Sequence, residues 1–406
     1  MLQQVSIGPA TREEGVRRLL EFVPFSAREY RDERSYDRGP RDRSNTSLLS
    51  PWIRHRLISE CEVIAAVLRQ HEAVAADKFI QEICWRTYWK GWLELRPSIW
   101  REYRWEVSDG LRRLSEDFEL SHSVNLALQG RTGIDCFNQW VDELRETGYL
   151  HNHVRLWFAS IWIFTLKLPW ALGADFFLRY LLDGDPASNT LSWRWVAGLQ
   201  TEGKHYLATA ENIGRFTEGR FANVEGLAAG VPPLAWMPPP TPRPLPRPEY
   251  FDAKEPTALL LSEEDLSAGD TVDASIKTVG AFMHTSARSP LPVSEVVRDF
   301  VSGALDDALI RSGARHEVKH RMFGEAPSAD FLIEWAKAHG CRQIVMPYAP
   351  VGPVQEWVAP IRERLASSPI RFVLMRRGWD SRLWPLATRG FYPFRRQVDR
   401  LLGELI

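Results

Sequence analysis

Residues 232-PPLAWMPPPTPRPLPRP-248 divide this chain, because nine of these seventeen positions are proline. Proline locks φ and has no amide hydrogen, so such a run forms neither a helix interior nor a central strand. It follows an extended polyproline path and acts as a stiff connector. The 406 residues suffice for about two or three domains. The run therefore separates a region at 1–230 from one at 251–406, with 231–250 as linker.

The two regions carry different patterns. Before the linker, 58-ISECEVIAAVLRQ-70, 79-FIQEICWRTYWKGWLEL-95, 135-DCFNQWVDELRETG-148 and 152-NHVRLWFASIWIFTL-166 place apolar residues three and four apart, as helices do. Thirteen of the 17 tryptophans lie in the first 236 residues, which suggests two regions with different jobs. After the linker, the short apolar runs 257-TALLLS-262, 278-TVGAFMH-284, 343-QIVMP-347 and 371-RFVLM-375 read as buried parallel strands. Helical stretches at 294–313, 328–340 and 353–366 alternate with them. The expected architecture is an all-helical domain followed by a doubly wound α/β domain.

Composition excludes some classes of function. Net charge is −1, so any pull on nucleic acid must come from a local basic rim. The most apolar run, 156-LWFASIWIFTL-166, falls well short of the roughly 20 residues of a membrane span and reads as a buried helix. Cys61, Cys84, Cys136 and Cys341 are widely spaced, with no CxxC and no zinc-ligand pattern, and the N-terminus shows no apolar signal segment. These features suit a reduced, cytoplasmic protein with no membrane partner and no metal. No G-x-G occurs, so neither dinucleotide fingerprint nor P-loop is present.

Four segments concentrate polar and aromatic groups. In 183-DGDPASNTLSWRW-195, Asp183 and Asp185 read either as a metal pair, for which no third ligand stands at suitable spacing, or as a turn or helix cap. Asn152 and Arg155 share a face of the preceding helix, and a buried Arg155 needs a carboxylate such as Asp183. Glu82, Trp85, Trp89 and Trp92 form a stripe on another helix. That stripe is either core-facing with one solvated carboxylate, or the wall of a cavity that stacks an aromatic ligand. In 46-TSLLSP-51, the hydroxyls are either an ordinary N-cap or a seat for phosphate oxygens. The preceding charge run, 28-REYRDERSYDRGPRDR-43, reads as a solvated loop unless an anion docks there.

In this order the segments resemble the FAD-binding catalytic domain of the DNA photolyase/cryptochrome family. The matching elements are Tyr36, TSLLSP, FIQEICWR, TGI with HNHVR, and DGDPASN-x-x-SWRW, over roughly residues 25–222. The resemblance implies FAD as cofactor. It assigns the pyrophosphate to Thr46, Ser47, Leu49 and Ser50 with Tyr36 beside them, and an ion pair next to the flavin to Arg155 and Asp183. Asp185 would fix the cofactor's polar edges, with Arg86 and Asn152 close by, and Asn189 would stand near flavin N5. Trp193 and Trp170 match the inner and middle members of an electron-relaying tryptophan chain. No tryptophan occurs in 106–133, where the outermost member belongs, and Trp105 is the nearest.

For function the resemblance implies light-driven repair of cyclobutane pyrimidine dimers in UV-damaged DNA, with Glu82 and Trp85 at the substrate. Arg41, Arg54, Arg56, Asn152 and His153 are the candidates for a DNA-binding rim. The alternative is a cryptochrome-like photoreceptor or redox flavoprotein with a signalling partner. Leu156 stands where cyclobutane-dimer enzymes carry methionine and (6-4) enzymes histidine. The α/β domain follows the FAD-type domain instead of preceding it, which reads as a circular permutation. In many relatives that domain binds an antenna chromophore, so the resemblance leaves room for one, of unspecified identity.

Overall fold

The structure, a computed structural model, describes residues 7–231 and 235–405. The first part is helical. It runs through α1 (Arg12–Phe22), α2 (Arg28–Glu33), α3 (Ser50–Arg54), α4 (Glu60–Leu68), α5 (Asp77–Glu94), α6 (Ser98–Glu116), α7 (Phe118–Leu128), α8 (Asp135–Thr147), α9 (Asn152–Ser160), α10 (Trp170–Tyr180), α11 (Pro186–Val196) and α12 (Ala210–Phe216). Local chemistry sets several boundaries. Ser59 and Glu62 form a reciprocal capping box that starts α4. Gly148, at φ 66°, ends α8 in the left-handed conformation. Asp185 caps α11 by accepting from the Ser188 amide at 2.8 Å, and Pro186 takes the first helical position.

One helix departs from its sequence pattern. The periodicity predicts a continuous helix over 152–166, yet Ile161–Thr165 form a π-helical turn, closed by the Leu166 amide on the Ile161 carbonyl at 2.8 Å. Apolar spacing does not separate four-residue from five-residue hydrogen-bonded turns, so this bulge is not visible in the pattern. Lys167, at φ 55°, then turns the chain away.

The second part carries β1 (Thr257–Ser262), β2 (Ile276–Met283), α13 (Glu295–His316), β3 (His320–Glu325), α14 (Ala329–Ala338), β4 (Gln343–Pro347), α15 (Pro353–Leu365), β5 (Arg371–Met375), α16 (Gly378–Leu383) and α17 (Phe391–Leu405). All pairings are parallel, in the order β3-β2-β1-β4-β5, the doubly wound arrangement. The strand β3, HRMFGE, is absent from the sequence expectation. It is an edge strand with exposed ends, so no apolar run announces it.

The linker is not free-standing. Residues 232–234 lie outside the described residues. Beyond them, the Arg243 amide donates to the Leu95 carbonyl at 2.8 Å, and the Pro240 carbonyl accepts from Arg96 Nε at 3.0 Å. Further on, Glu249 accepts from the Leu374 amide at 3.0 Å and so covers the outer edge of β5.

The halves share one apolar core. Trp52 packs edge-on against Phe300 of α13, with ring centroids 5.6 Å apart. On α5, Gly91 meets the backbone of Trp384, where an added Cβ would lie 2.8 Å from its Cα. The other face of the sheet packs against α14 and α15 as a separate, smaller core. Helix α5 thus packs against the second half at Gly91, and its aromatic stripe reaches that half as well. No helix among the described residues is long and apolar enough to cross a membrane.

Candidate functional site

The aromatic stripe of α5 faces a cavity of about 1020 Å³, not only core. This volume is at the upper end of the roughly 300–1,000 Å³ of small-molecule sites. Glu82, Trp85, Arg86, Trp89 and Trp92 all line it. Trp85 lies parallel to Phe391 of α17, with centroids 3.6 Å apart and planes 7° from parallel, so one of its ring faces is covered. Glu82 is paired with Arg34 at 2.7 Å. Burial pushes the Glu82 carboxyl up, and Arg34 and Lys78 offset only part of that rise.

The opposite wall comes from α9 and the start of α11. Arg155 binds Asp183 through two hydrogen bonds of 3.0 Å each, and its Nε donates to the Leu150 carbonyl at 3.0 Å. Burial raises the Asp183 carboxyl, but Arg155, with the Ser50 hydroxyl and Arg86, outweighs it and holds the group below the usual carboxylate range. Asp185 is likewise buried and held low by Lys90, Arg54 and Arg86. Asn189 lines the cavity while its amide nitrogen donates to the Ala174 carbonyl at 2.8 Å, which leaves its carbonyl oxygen as the free end. Thr46, Ser47, Leu49 and Ser50 line the same cavity, as do Asn152 and Leu156.

Several buried polar atoms on these walls have no hydrogen-bond partner among the described residues. They include Arg86 Nη1, Trp193 Nε1 and Gln200 Oε1. A buried unsatisfied donor or acceptor costs about 1–3 kcal/mol. A cavity that keeps such atoms beside hydroxyls, a bidentate ion pair and an indole wall suits a large ligand that is polar at its edges and aromatic in its plane.

Residues 79–219 match the family model described as the FAD binding domain of DNA photolyase. This segment is similar to the FAD-binding domain of the DNA photolyase/cryptochrome family. The photolyase-type domain is 26% identical over 196 residues to the deoxyribodipyrimidine photo-lyase of Buchnera aphidicola subsp. Baizongia pistaciae, covering 47% of this chain and 39% of that protein. It is 32% identical over 158 residues to the photo-lyase of Streptomyces griseus, covering 39% of this chain and 33% of that one. The chain thus spans well under half the length of these curated relatives. A solved class III photolyase from Agrobacterium tumefaciens aligns at TM-score 0.44 and 26% identity, over 52% of this chain and 44% of that one.

FAD is the cofactor of such a domain, and the residues present fit it: hydroxyls, a bidentate ion pair and an amide line one cavity together with unpartnered polar atoms. Other sequence assignments are redistributed. Tyr36 is not among the cavity-lining residues; its ring packs on Phe216. Tyr30 and Arg34, four apart at the end of α2, line the cavity instead. Both stand in the charge run read as a solvated loop. That run is partly internal: Asp37 is buried between Arg43, at 2.6 Å, and Arg220, and Arg43 also binds Glu143. The helical spacing of Tyr30 and Arg34 is the signal that could have found them.

The rim is also smaller than the sequence suggests. Arg41 is exposed, and Asn152 is exposed at the cavity. His153 turns inward, with its ring stacked on Trp157 at 4.6 Å and its Nδ1 2.9 Å from the Ser35 carbonyl. Arg54 and Arg56 are buried in ion pairs with the second half, so neither reaches solvent. For the tryptophans, Trp193 lines the cavity and contacts Phe177 and Trp162. Trp170 packs on Tyr103 at 5.9 Å, and Trp105 is 65% exposed. Sequence reasoning misses Trp162 as a neighbour of Trp193. It also misses Phe391 and Pro239, which reach the cavity from the far end of the chain and from the linker.

Proposed function

We propose that this chain is a photolyase-type lyase that uses FAD and blue light to open cyclobutane pyrimidine dimers in UV-damaged DNA. The observation that carries the reading is that Glu82 and Trp85 share one cavity with Asn189 and the Arg155–Asp183 pair. Bound FAD would supply the light-excited electron and take it back, so the two C–C bonds that join the pyrimidines open without net oxidation.

The chain's own residues bind and orient. Thr46, Ser47 and Ser50 offer hydroxyls to the pyrophosphate, with the Leu49 backbone beside them. Arg155, Asp183 and Asp185 fix the polar edge of the ring system, and Arg86 and Asn152 add donors there. The neutral Asn189 amide would face the ring system of bound FAD, where a carboxylate would repel anionic forms. Trp193 and Trp170 relay electrons toward the surface. Phe391 holds Trp85 from one face, and a flipped dimer would lie against the part of the ring that lines the cavity; extrusion into such a pocket is how enzymes reach a base. Glu82, whose burial keeps its proton to higher pH, hydrogen-bonds the pyrimidine carbonyl edge. Arg34 steadies that carboxyl. Arg41 and Asn152 supply contacts to the strand.

The chain order is part of the proposal. β1 and the loop at 263–270 stand for the family's opening strand and loop, and α17 for the segment that enters the catalytic domain, as in a circular permutation. A DNA substrate and four free thiols suit a cytoplasmic setting.

The test uses the photoreduced full chain, an oligothymidine carrying cyclobutane dimers, and thymine absorbance. Recovery under blue light and none in darkness is the expected result. FAD binding and photoreduction without recovery would sink repair and leave a photoreceptor, which the net charge of −1 and Leu156 favour.

A further inference from the structure

Asp185 belongs to two networks at once. It lines the cavity, and it is the end of a chain of charges that runs into the α/β half. Its Oδ1 accepts from the Ser188 amide at 2.8 Å. Its Oδ2 lies 3.4 Å from Lys90 Nζ and 3.7 Å from Arg54 Nε. Arg54 is only 1% exposed. Its Nε donates to the Gly184 carbonyl at 3.0 Å, and its two terminal nitrogens donate to Glu264 at 2.8 Å each. Glu264 stands just beyond β1, in the second half.

A guanidinium presents its donors as a rigid planar fork, and a carboxylate that takes the outer pair removes that pair from every other acceptor. Glu264 and the Gly184 carbonyl together occupy this fork. Arg54 therefore attracts Asp185 across 3.7 Å without a hydrogen bond to it. Asp185 Oδ2 keeps lone pairs to offer into the cavity.

We infer that Arg54 is a positioning residue, through which Glu264 of the docked α/β domain keeps the Asp185 carboxylate available to the cavity's ligand. Without Glu264 the fork is released beside a buried carboxylate and closes on Asp185 as a two-bond pair. The α/β domain thus contributes to the cofactor site with no atom in the cavity from its 263–265 loop. This inference rests on the FAD reading of the cavity.

The test is FAD titration of the full chain, then flavin fluorescence and the reduction potential of the bound cofactor. Wild type is titrated first; failure to bind FAD there would overturn the cavity reading itself, independently of any role for Glu264. With wild-type binding established, Glu264→Gln weakens FAD about tenfold, equivalent to about 1.4 kcal/mol. Its reduction potential rises, because the cavity edge loses negative charge to Arg54. Glu264→Asp restores the charge and most of the affinity. The control is Asp380→Asn, which breaks the equally buried pair with Arg56, at 2.7 Å, in the same interface but one step farther from Asp185. It lowers the unfolding midpoint and leaves FAD affinity and potential unchanged. If Glu264→Gln keeps wild-type affinity and potential, or if Asp380→Asn shifts both as much, the inference falls. Should Glu264→Gln not fold, Glu264→Asp decides: its shorter reach still weakens FAD measurably, and wild-type affinity in it overturns the proposal.

Discussion

Two concave regions of this molecule meet at residues 182–185 and are built in opposite ways. One is the cavity between α5, α9 and α11, which keeps unpartnered polar atoms on its walls. The other is the crevice beyond the carboxyl ends of β1 and β2, the usual ligand position in a doubly wound sheet. Here the segment 54-RHR-56 fills that crevice. Arg54 takes Glu264, the His55 carbonyl accepts from the Leu266 amide at 3.0 Å, and Arg56 takes Asp380 and Glu60. Asp265 is held by Arg377 at 2.5 and 2.7 Å, and Glu263 by Arg288 and Thr285. The crevice thus pairs its carboxylates internally and leaves only Arg288 Nη1 and the Ser262 hydroxyl without a partner among the described residues, while the cavity walls keep several polar atoms for a guest. Substitutions in the crevice should therefore register in stability, and those in the cavity in binding and chemistry.

Arg56→Ala tests this contrast hardest. It strands Asp380 and Glu60 in the interior, and removing one partner of a buried pair costs about 3–5 kcal/mol. Urea unfolding should show that loss; a change below about 1 kcal/mol would mean the crevice charges are hydrated. Glu82→Ala is the counterpart in the cavity. Its partner Arg34 is partly exposed and rehydrates, so stability stays within about 1 kcal/mol. Light-driven dimer opening should fall about tenfold to a hundredfold, the worth of one hydrogen bond to a charged group, about 1.5–3 kcal/mol. Unchanged repair would remove Glu82 from the substrate site.

Acid titration compares the regions through one histidine from each. His55 in the crevice and His151 on the cavity wall are both pushed down from 6.5 to about 3, chiefly by burial. Below pH 6.5 the unfolded chain binds these protons and the folded chain does not. Stability is therefore full above that pH and falls as pH drops toward about 3, by about 1.4 kcal/mol per pH unit for each histidine. His55→Gln should flatten the acid limb by that slope, and an unaltered limb would contradict the burial of a neutral ring. The smallest effect is expected for Trp105→Phe. The site is exposed, so unfolding energy moves within about 0.5 kcal/mol. The rate of photoreduction of bound FAD should also hold, whereas Trp193→Phe slows it.

Much of this architecture is legible in the chain. Apolar spacing locates α4, α5, α8 and α9, because each buries one face, and apolar runs locate β1, β2, β4 and β5, because each is covered on both faces. The strand β3 escapes because none of its residues is fully buried and both its ends are exposed, whereas β5, at the other edge, buries three residues and shows an apolar run. At the site, motif spacing names Glu82, Trp85, Arg155, Asp183 and Asn189. It points to Tyr36 where Tyr30 lines the cavity, because the charge-rich segment reads as a loop and hides the helical spacing of Tyr30 and Arg34. Arg54 and Arg56 read as surface cations because the carboxylates across the interface that pair with them, Glu264 and Asp380, lie more than 200 residues away.

Local rules thus suffice for the helical and the alternating halves and for much of the polar inventory of the cavity. Those rules are periodic burial and short-range pairing of side chains. Which cations are buried, that Phe391 covers one face of Trp85, and that 54-RHR-56 takes the crevice of the sheet were settled only when the chain packed. Those outcomes depend on contacts between residues distant in the chain, where the stability of an ion pair or a stacked ring is set by what excludes water around it.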